Sequence, residues 1–257
     1  MKNRTRLPDV YLAAILIVMF MPIIIVIIYS FNESRISSVW GGFSLRWYAD
    51  LFRDRSIFTA LRNSLILAAV SSVAAAVIGT LGAVGMHKSD YKASKAIEYI
   101  STLPIMIPEI ILGIVFLLFF ALLSFRFGML TLVVAHTAFC IPYIFILVKS
   151  RLVGLDKSIE EAAKDLGAGN ARVFFDITLP LIMPSILSGV VLSFAMSFDD
   201  VVISTFVTGV NTNTLPLKIY TQLKTGVTPK INALCSLIFA VTVLLCIVSM
   251  YLQKRKD

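Results

Sequence analysis

The chain has 257 residues and a formal net charge of +8, and 58% of its residues are hydrophobic. An average soluble domain is about 45–50% apolar, so this composition excludes an ordinary soluble domain and indicates an integral membrane protein. The basic residues cluster between long apolar runs, which favours a role in membrane topology over nucleic-acid binding.

Six segments contain the roughly 20 apolar residues that a membrane-spanning helix needs. In chain order they cover residues 10–31, 61–86, 97–123, 128–148, 181–207 and 231–252. Basic residues precede the first segment, as in a signal peptide, but its apolar run is too long and no small-residue cleavage site follows it. We therefore expect an all-α polytopic membrane protein that keeps its first span, with residues 1–257 forming one transmembrane domain.

The basic residues of the connecting segments predict the orientation. Lys and Arg are more numerous, and closer to the spans, in the N-terminal segment, after spans two and four, and in the C-terminal tail than on the opposite side. By the positive-inside rule, both termini are expected to be cytoplasmic. The segment between spans one and two then lies outside, although it is itself rather basic.

The third span contains two prolines, Pro104 and Pro108, in the phrase LPIMIPEI. Proline removes a backbone donor and clashes with the preceding turn, so a break in this helix is expected. Broken helices at membrane depth are tolerated where they are buried in protein or line a cavity, and transporters build binding sites from them. Glu109 follows Pro108 directly and is expected near the middle of the membrane.

Residues 149–180 form a long segment between spans four and five, on the predicted cytoplasmic side. Ser158 is a candidate helix N-cap, and Glu161 three residues later would complete a capping box. Four apolar residues follow at helical spacing: Ile159, Ala162, Ala163 and Leu166. Gly167 is expected to end this helix, and a second short helix follows. Two interpretations are open: the helices lie on the membrane or the bundle, or they dock a cytosolic protein.

The same segment carries the pattern EAA, three residues, Gly, nine residues, Ile-x-Leu-Pro. The matching residues are Glu161, Ala162, Ala163, Gly167, Ile177, Leu179 and Pro180. This pattern resembles the coupling motif of ABC-importer permeases of the binding-protein-dependent type. The resemblance implies that residues 149–180 dock on a separate ATPase dimer and pass its ATP-driven motion to the spans. It also implies an extracytoplasmic binding protein and a second permease subunit, which we expect to be homologous to this chain but different from it.

Further phrases narrow the resemblance: FSLRWYADLF, TLPIMIPEI, SFDDVVISTFVTG and LPLKIY. They are similar to the permeases of spermidine/putrescine importers. The similarity implies that the cargo is a polyamine and that the protein lies in the bacterial cytoplasmic membrane. The coupling motif alone does not choose the cargo, because importers of other solutes share it. The alternatives are the same permease role for another solute, such as ferric iron, and a secondary transporter that acts alone.

Three acidic residues occupy membrane positions: Glu109, Asp199 and Asp200. Since an unpaired buried carboxylate is costly, each must face a wet cavity, be protonated or meet a cation. Spaced carboxylates suit a polyamine, which is a chain of ammonium groups, whereas an anion path would be expected to present cations or helix N-termini. We therefore expect these three residues to line a substrate path. For each aspartate, capping of a helix break or pairing with a partner's cation stays open. For Glu109, a hydrogen bond to the backbone that the two prolines free stays open as well.

Trp47 and His136 have two interpretations each, and Tyr48 has one. Trp47 and Tyr48 would offer aromatic faces to a cation near the entrance, whereas Trp47 as a membrane-interface anchor is the competing interpretation. His136 in the fourth span is expected to be a packing residue with satisfied hydrogen bonds rather than a proton relay.

No phosphate-binding GxxxxGK[ST] loop, nucleophile elbow or metal-ligand cluster is present in the sequence. We therefore expect a subunit that is not itself an enzyme and binds no cofactor or metal. By the family resemblance, ATP and Mg²⁺ belong to the partner ATPase.

Overall fold

The computed structural model describes residues 7–35, 39–87, 94–226 and 228–254. Much of the basic charge that predicts the orientation lies at positions 1–6, 88–93 and 255–257, outside the described residues. The helices are α1 (Leu7–Ser30), α2 (Arg46–Arg53), α3 (Arg55–His87), α4 (Ser94–Met106), α5 (Glu109–Leu122), α6 (Met129–Val153), α7 (Lys157–Asp165), α8 (Asn170–Val173), α9 (Leu179–Asp199), α10 (Val202–Val207), α11 (Leu215–Thr225) and α12 (Pro229–Lys254). A π-helical turn, Phe174–Thr178, joins α8 to α9.

The all-α polytopic class is confirmed. Within the described ranges, five helices are long and apolar enough to cross a membrane, and there are six spans if α4 and α5 count as one broken span. Helices α1, α3, α6 and α12 correspond to the first, second, fourth and sixth predicted spans.

The third predicted span is two helices rather than one. Helices α4 and α5 meet at an angle of 108°. Pro108 lies at the break with an extended backbone (φ −54°, ψ 134°), and its carbonyl accepts the N–H groups of Ile111 and Leu112 in the first turn of α5. Pro104 lies inside α4. The expected break therefore occurs at Pro108 alone, where the missing N–H is harmless because a new helix begins.

The fifth predicted span, residues 181–207, also consists of two helices, and a helix break at its aspartates is one of the alternatives that the sequence leaves open. Helix α9 ends at Asp199 and α10 begins at Val202. Asp200 between them has an extended backbone (φ −64°, ψ 130°). No proline or glycine marks this break, so its cause lies in the side-chain contacts described below.

Contacts divide the chain into two compact units, residues 1–58 with 219–257 and residues 59–218. In the first unit, α12 packs against α1 and α2. In the second, α6 packs against α4 and α9, and α5 packs against α10. The expectation of one permease domain over the whole chain stays a prediction.

Small residues allow close helix packing in the second unit. A Cβ at Gly79 of α3 would lie 3.1 Å from the carbonyl oxygen of Ile141 in α6, and a Cβ at Gly189 of α9 would lie 3.1 Å from the side chain of Ile144. Small residues at such positions let membrane helices approach closely. A Cβ at Gly113 of α5 would overlap Phe206 of α10, at 2.4 Å. These contacts fix α5, α6, α9 and α10 around the residues of the candidate site.

Candidate substrate path and coupling loop

Asp200 lies at the break in the fifth span and is buried. Its Oδ1 accepts the backbone N–H of Ile203 at 3.1 Å, and its Oδ2 accepts the N–H of Ser204 at 2.8 Å. The first N–H groups of a helix have no partner inside the helix, and a side-chain carboxylate satisfies them well. Asp200 is therefore bound to the beginning of α10, which explains why the chain breaks here without proline or glycine.

His136 of α6 is fully buried and contacts the same break. Its Nδ1 lies 2.8 Å from Oγ of Ser197, and its Nε2 lies 3.2 Å from Oγ of Ser204 and 3.4 Å from Oδ2 of Asp200. Ser197 in turn lies 3.0 Å from Oγ of Ser71 in α3. No local sequence pattern indicates this network, because it joins three regions that are far apart in the chain: α3, α6 and the break between α9 and α10.

Asp199 has the opposite environment from its neighbour. It is the last residue of α9 and is exposed. Within the described part of the chain, its side chain has no hydrogen bond or ion pair. A carboxylate that the fold leaves unpaired is available to a mobile cation, so of the two aspartates Asp199 is the candidate for substrate contact.

Glu109 is brought close to the two aspartates. It is the first residue of α5 and is exposed. It lies within range of electrostatic repulsion from both Asp200 and Asp199, because α5 packs against α10. Tyr143 of α6, which no sequence pattern singled out, also interacts electrostatically with Glu109. Two broken helices thus place carboxylates in one region of the second unit.

Trp47 and Tyr48 belong to the first unit, in α2. Trp47 is buried, its Nε1 donates to the carbonyl of Asn32 at 2.6 Å, and the guanidinium of Arg46 lies 5.4 Å from its ring centroid. The hydroxyl of Tyr48 lies 2.7 Å from Oγ of Ser30. Both aromatic residues therefore make contacts within their own unit, and their expected role in a substrate path stays a prediction.

The loop between spans four and five contains α7 and α8, as expected, but its first cap differs from the prediction. Asp156, not Ser158, is the N-cap of α7, and it accepts the N–H of Ser158 at 3.0 Å. This hydrogen bond lowers the pKa of Asp156. Both residue types favour N-cap positions, and Asp156 takes the position because α7 begins at Lys157, which leaves Ser158 within the first turn.

Gly167 ends α7 with a left-handed backbone, at φ +86°. The N–H of Gly167 donates to the carbonyl of Lys164, and the N–H of Ala168 donates to that of Ala163. This is the Schellman arrangement, in which glycine is favoured after the last helical residue. The motif residue Gly167 thus sets the direction in which the chain leaves α7.

The remaining motif residues differ in their exposure. Glu161, Ala162 and Pro180 are exposed, whereas Ala163, Ile177 and Leu179 are half-buried. Of the expected apolar stripe, Ile159 is 45% and Leu166 is 90% exposed, so the stripe is not covered by the second unit. The hydroxyl of Thr178 donates to Oε1 of Glu160 at 2.6 Å and connects the π-helical turn to α7.

A cleft of about 470 Å³ borders α7. Its lining mixes charged and apolar side chains, among them Asp156, Glu161, Lys164 and Leu181. An uncovered apolar stripe beside a charged cleft is a surface on which another protein can dock. Burial of the stripe would contribute affinity, and the charged side chains would fix the orientation of the partner.

Comparison with known proteins identifies the family. The family described as "Binding-protein-dependent transport system inner membrane component" matches residues 75–256. The chain belongs to this family. It is therefore a permease subunit, a membrane component of a transport system and not its catalytic part, and it is a multi-pass protein of the bacterial inner membrane.

The chain is also similar to individual permeases. It is 41% identical to the putrescine transport system permease protein PotI of Escherichia coli over 246 residues, which cover 93% of this chain and 88% of the relative. It is 39% identical to the spermidine/putrescine transport system permease protein PotC of the same organism, covering 96% of this chain and 93% of the relative. It is 34% identical to PotC of Haemophilus influenzae over 255 residues, which cover 99% of each chain.

Solved structures support the fold. A chain of a bacterial ABC transporter involved in the import of the acidic polysaccharide alginate matches with a TM-score of 0.74, covering 99% of this permease and 98% of that chain at 16% identity. A chain of the MetNI methionine ABC transporter matches with a TM-score of 0.62 over 80% of this permease, at 18% identity. At these identities the likeness shows the fold alone.

Proposed function

We propose that this permease is a subunit of an ATP-driven importer that moves polyamines, such as putrescine and spermidine, into the cell. The observation that carries the proposal is the similarity to PotI and PotC, at 41% and 39% identity over more than nine tenths of the permease. Both relatives are named as transport permeases for these cargoes, and the similarity includes the membrane segments with the carboxylates.

The charge of the site supports a cationic cargo. Asp199 and Glu109 are exposed at the ends of broken helices and repel each other. Among the described residues, neither carboxylate forms an ion pair with Lys or Arg. An ammonium group between such carboxylates would relieve their repulsion. The carboxylates would in turn replace the water molecules that the ammonium group loses. Because cargo must also leave, several weak contacts suit a path better than one tight site.

The complete importer, in this proposal, has four kinds of subunit. The permease pairs with a second, homologous but different permease, and an extracytoplasmic binding protein delivers the polyamine. Residues 149–180 face the cytoplasm, as do both termini, and dock on an ATPase dimer that binds ATP and Mg²⁺. The uncovered stripe on α7 and its neighbouring cleft support this docking.

Uptake into proteoliposomes tests the proposal. The complete importer is reconstituted with ATP inside, and uptake of labelled putrescine, spermidine and ferric iron is measured with the binding protein outside. We expect ATP-dependent uptake of a polyamine and none of iron. ATP-driven iron uptake without polyamine uptake would overturn the cargo. Polyamine uptake by the permeases without the ATPase would instead show a secondary transporter.

A further inference from the structure

The buried ring of His136 contacts both helices that meet at the break in the fifth span. Nδ1 lies 2.8 Å from Oγ of Ser197, in the last turn of α9, and Nε2 lies 3.2 Å from Oγ of Ser204, in α10. Nε2 is also 3.4 Å from Oδ2 of Asp200, between the two helices. One side chain of α6 therefore holds the end of one helix, the break, and the start of the next.

The chemistry of these partners favours one role for each ring nitrogen. An ionised carboxylate only accepts hydrogen bonds, so Asp200 favours the tautomer with the proton on Nε2. Nδ1 is then an acceptor, and the hydroxyl of Ser197 donates a hydrogen bond to it. Because the ring is fully buried, its loss leaves the hydroxyl of Ser204 without the side-chain partner that the described residues give it.

The contact with Ser197 also determines where Asp199 points. The two residues are two positions apart in α9, which places their side chains about 200° apart around the helix axis. Ser197 is buried and Asp199 is exposed, in agreement with this geometry. Rotation of the last turn of α9 would turn both side chains together, so whatever holds Ser197 also aims Asp199.

We propose that His136 is a positioning residue for polyamine passage: by binding Ser197, Asp200 and Ser204 it fixes the break in the fifth span and so directs the Asp199 carboxylate toward the cargo. His136 does not itself contact the cargo. This inference rests on the proposed function, and it differs from a packing role, in which His136 would affect folding and assembly but not Asp199 in particular.

Two substitutions separate polar positioning from packing. His136→Leu keeps an apolar volume and removes both nitrogens, whereas His136→Asn keeps a polar atom near the position of Nδ1 and can still bind Ser197. Thr137→Ala is the matched control, because Thr137 is the next residue of α6, is also buried, and its hydroxyl has no hydrogen-bond partner among the described residues.

The first experiment measures polyamine uptake per assembled complex in reconstituted importers. We expect His136→Leu to lower uptake about tenfold, the factor that one lost hydrogen bond to a charged group produces. His136→Asn should retain more uptake, and Thr137→Ala should be close to wild type. In an Asp199→Asn background, His136→Leu should have no further effect, since the carboxylate that it directs is gone. Equal losses in both backgrounds would overturn the proposal.

The second experiment needs no cargo and therefore separates this inference from the proposed function. The rate at which a membrane-permeant thiol reagent reacts with Asp199→Cys is measured in the complete importer, with and without His136→Leu. The rate for the same chain without the added cysteine is subtracted as background. We expect His136→Leu to change this rate severalfold, whereas Thr137→Ala leaves it unchanged. An unchanged rate in His136→Leu would show that His136 does not orient position 199.

Discussion

Asp199 and Asp200 are adjacent in the chain, but Asp200 is buried against two N–H groups of α10 while Asp199 is exposed. Two neighbouring carboxylates that are equivalent in the sequence are thus divided between two tasks. Asp200 ends one helix and begins the next, and the resulting break leaves Asp199 at the exposed end of α9. The two residues should accordingly respond differently to the same substitution.

Asp199→Asn should lower polyamine uptake without loss of assembly. The amide keeps the size of the side chain but removes the charge that attracts an ammonium group, and no described contact of the fold depends on it. Uptake per complex, with the amount of complex determined by co-purification of the ATPase, measures the effect. Loss of the complex itself would show that Asp199 is structural.

Asp200→Asn should instead lower the amount of assembled complex. An amide accepts with only one of its two polar atoms, so one N–H of α10 loses its acceptor at a cost of about 1–2 kcal/mol. The apparent melting temperature and yield of the purified complex measure this loss. Normal stability combined with reduced uptake would assign Asp200 to the path and reverse the division of tasks.

Glu109→Gln should reduce uptake, because it removes the second exposed carboxylate from the region of Asp199. Glu109→Asp is the matched control, since it keeps the charge and shortens the side chain by one methylene. We expect uptake in the order wild type, Glu109→Asp, Glu109→Gln, at similar levels of assembled complex. Equal uptake by the two variants would argue against a role for the charge at this position.

The sequence predicted features that depend on neighbouring residues. Apolar runs predicted the spans, and Pro108 predicted the break before α5, because each signal lies within one continuous stretch of the chain. A helix break at Asp199 or Asp200 stays one of several alternatives in the sequence, because the residues after it continue the apolar run and no proline or glycine marks it.

The hydrogen-bond partners of His136 could not be predicted from the sequence for a different reason. Its partners Ser197 and Ser204 lie 61 and 68 residues further along the chain. A buried histidine with satisfied hydrogen bonds was expected, but which residues satisfy it depends on the packing of α6 against α9 and α10, which no local pattern records.

Gly167→Ala should impair the transfer of motion through the coupling loop. Gly167 has a left-handed backbone (φ +86°), and a methyl group on its Cα would meet no atom within 4 Å, so the cost is conformational, about 1–2 kcal/mol for a residue with a Cβ. Gly169 is the matched control, because its surroundings are equally open but its φ is −70°. We expect lower ATP-driven uptake and weaker retention of the ATPase for Gly167→Ala, and values near wild type for Gly169→Ala. Equal behaviour of the two variants would contradict this role for Gly167.

The ion pair between Asp54 and Lys230 should make the stability of the first unit depend on pH. Burial alone would raise the pKa of Asp54, but hydrogen bonds from Lys230 and Ser56 hold it well below its ordinary value of 3.8. A carboxyl whose pKa is lower in the folded chain stabilises the fold above its unfolded pKa, and this stabilisation is lost as the pH falls further. It should therefore be complete above pH 3.8 and decline below it.

Asp54→Asn tests this dependence through the apparent melting temperature in detergent. At pH 7 the substitution should cost about 1 kcal/mol, or roughly 2–4 °C, and the difference from wild type should shrink once the pH falls below the ordinary range of an aspartate. Asp50→Asn is the control, because Asp50 pairs with Arg46 at 3.7 Å in an exposed position, where an ion pair contributes little. The same loss in both variants, or a difference for Asp54→Asn that persists unchanged into acid, would show that the Lys230 contact does not stabilise the unit.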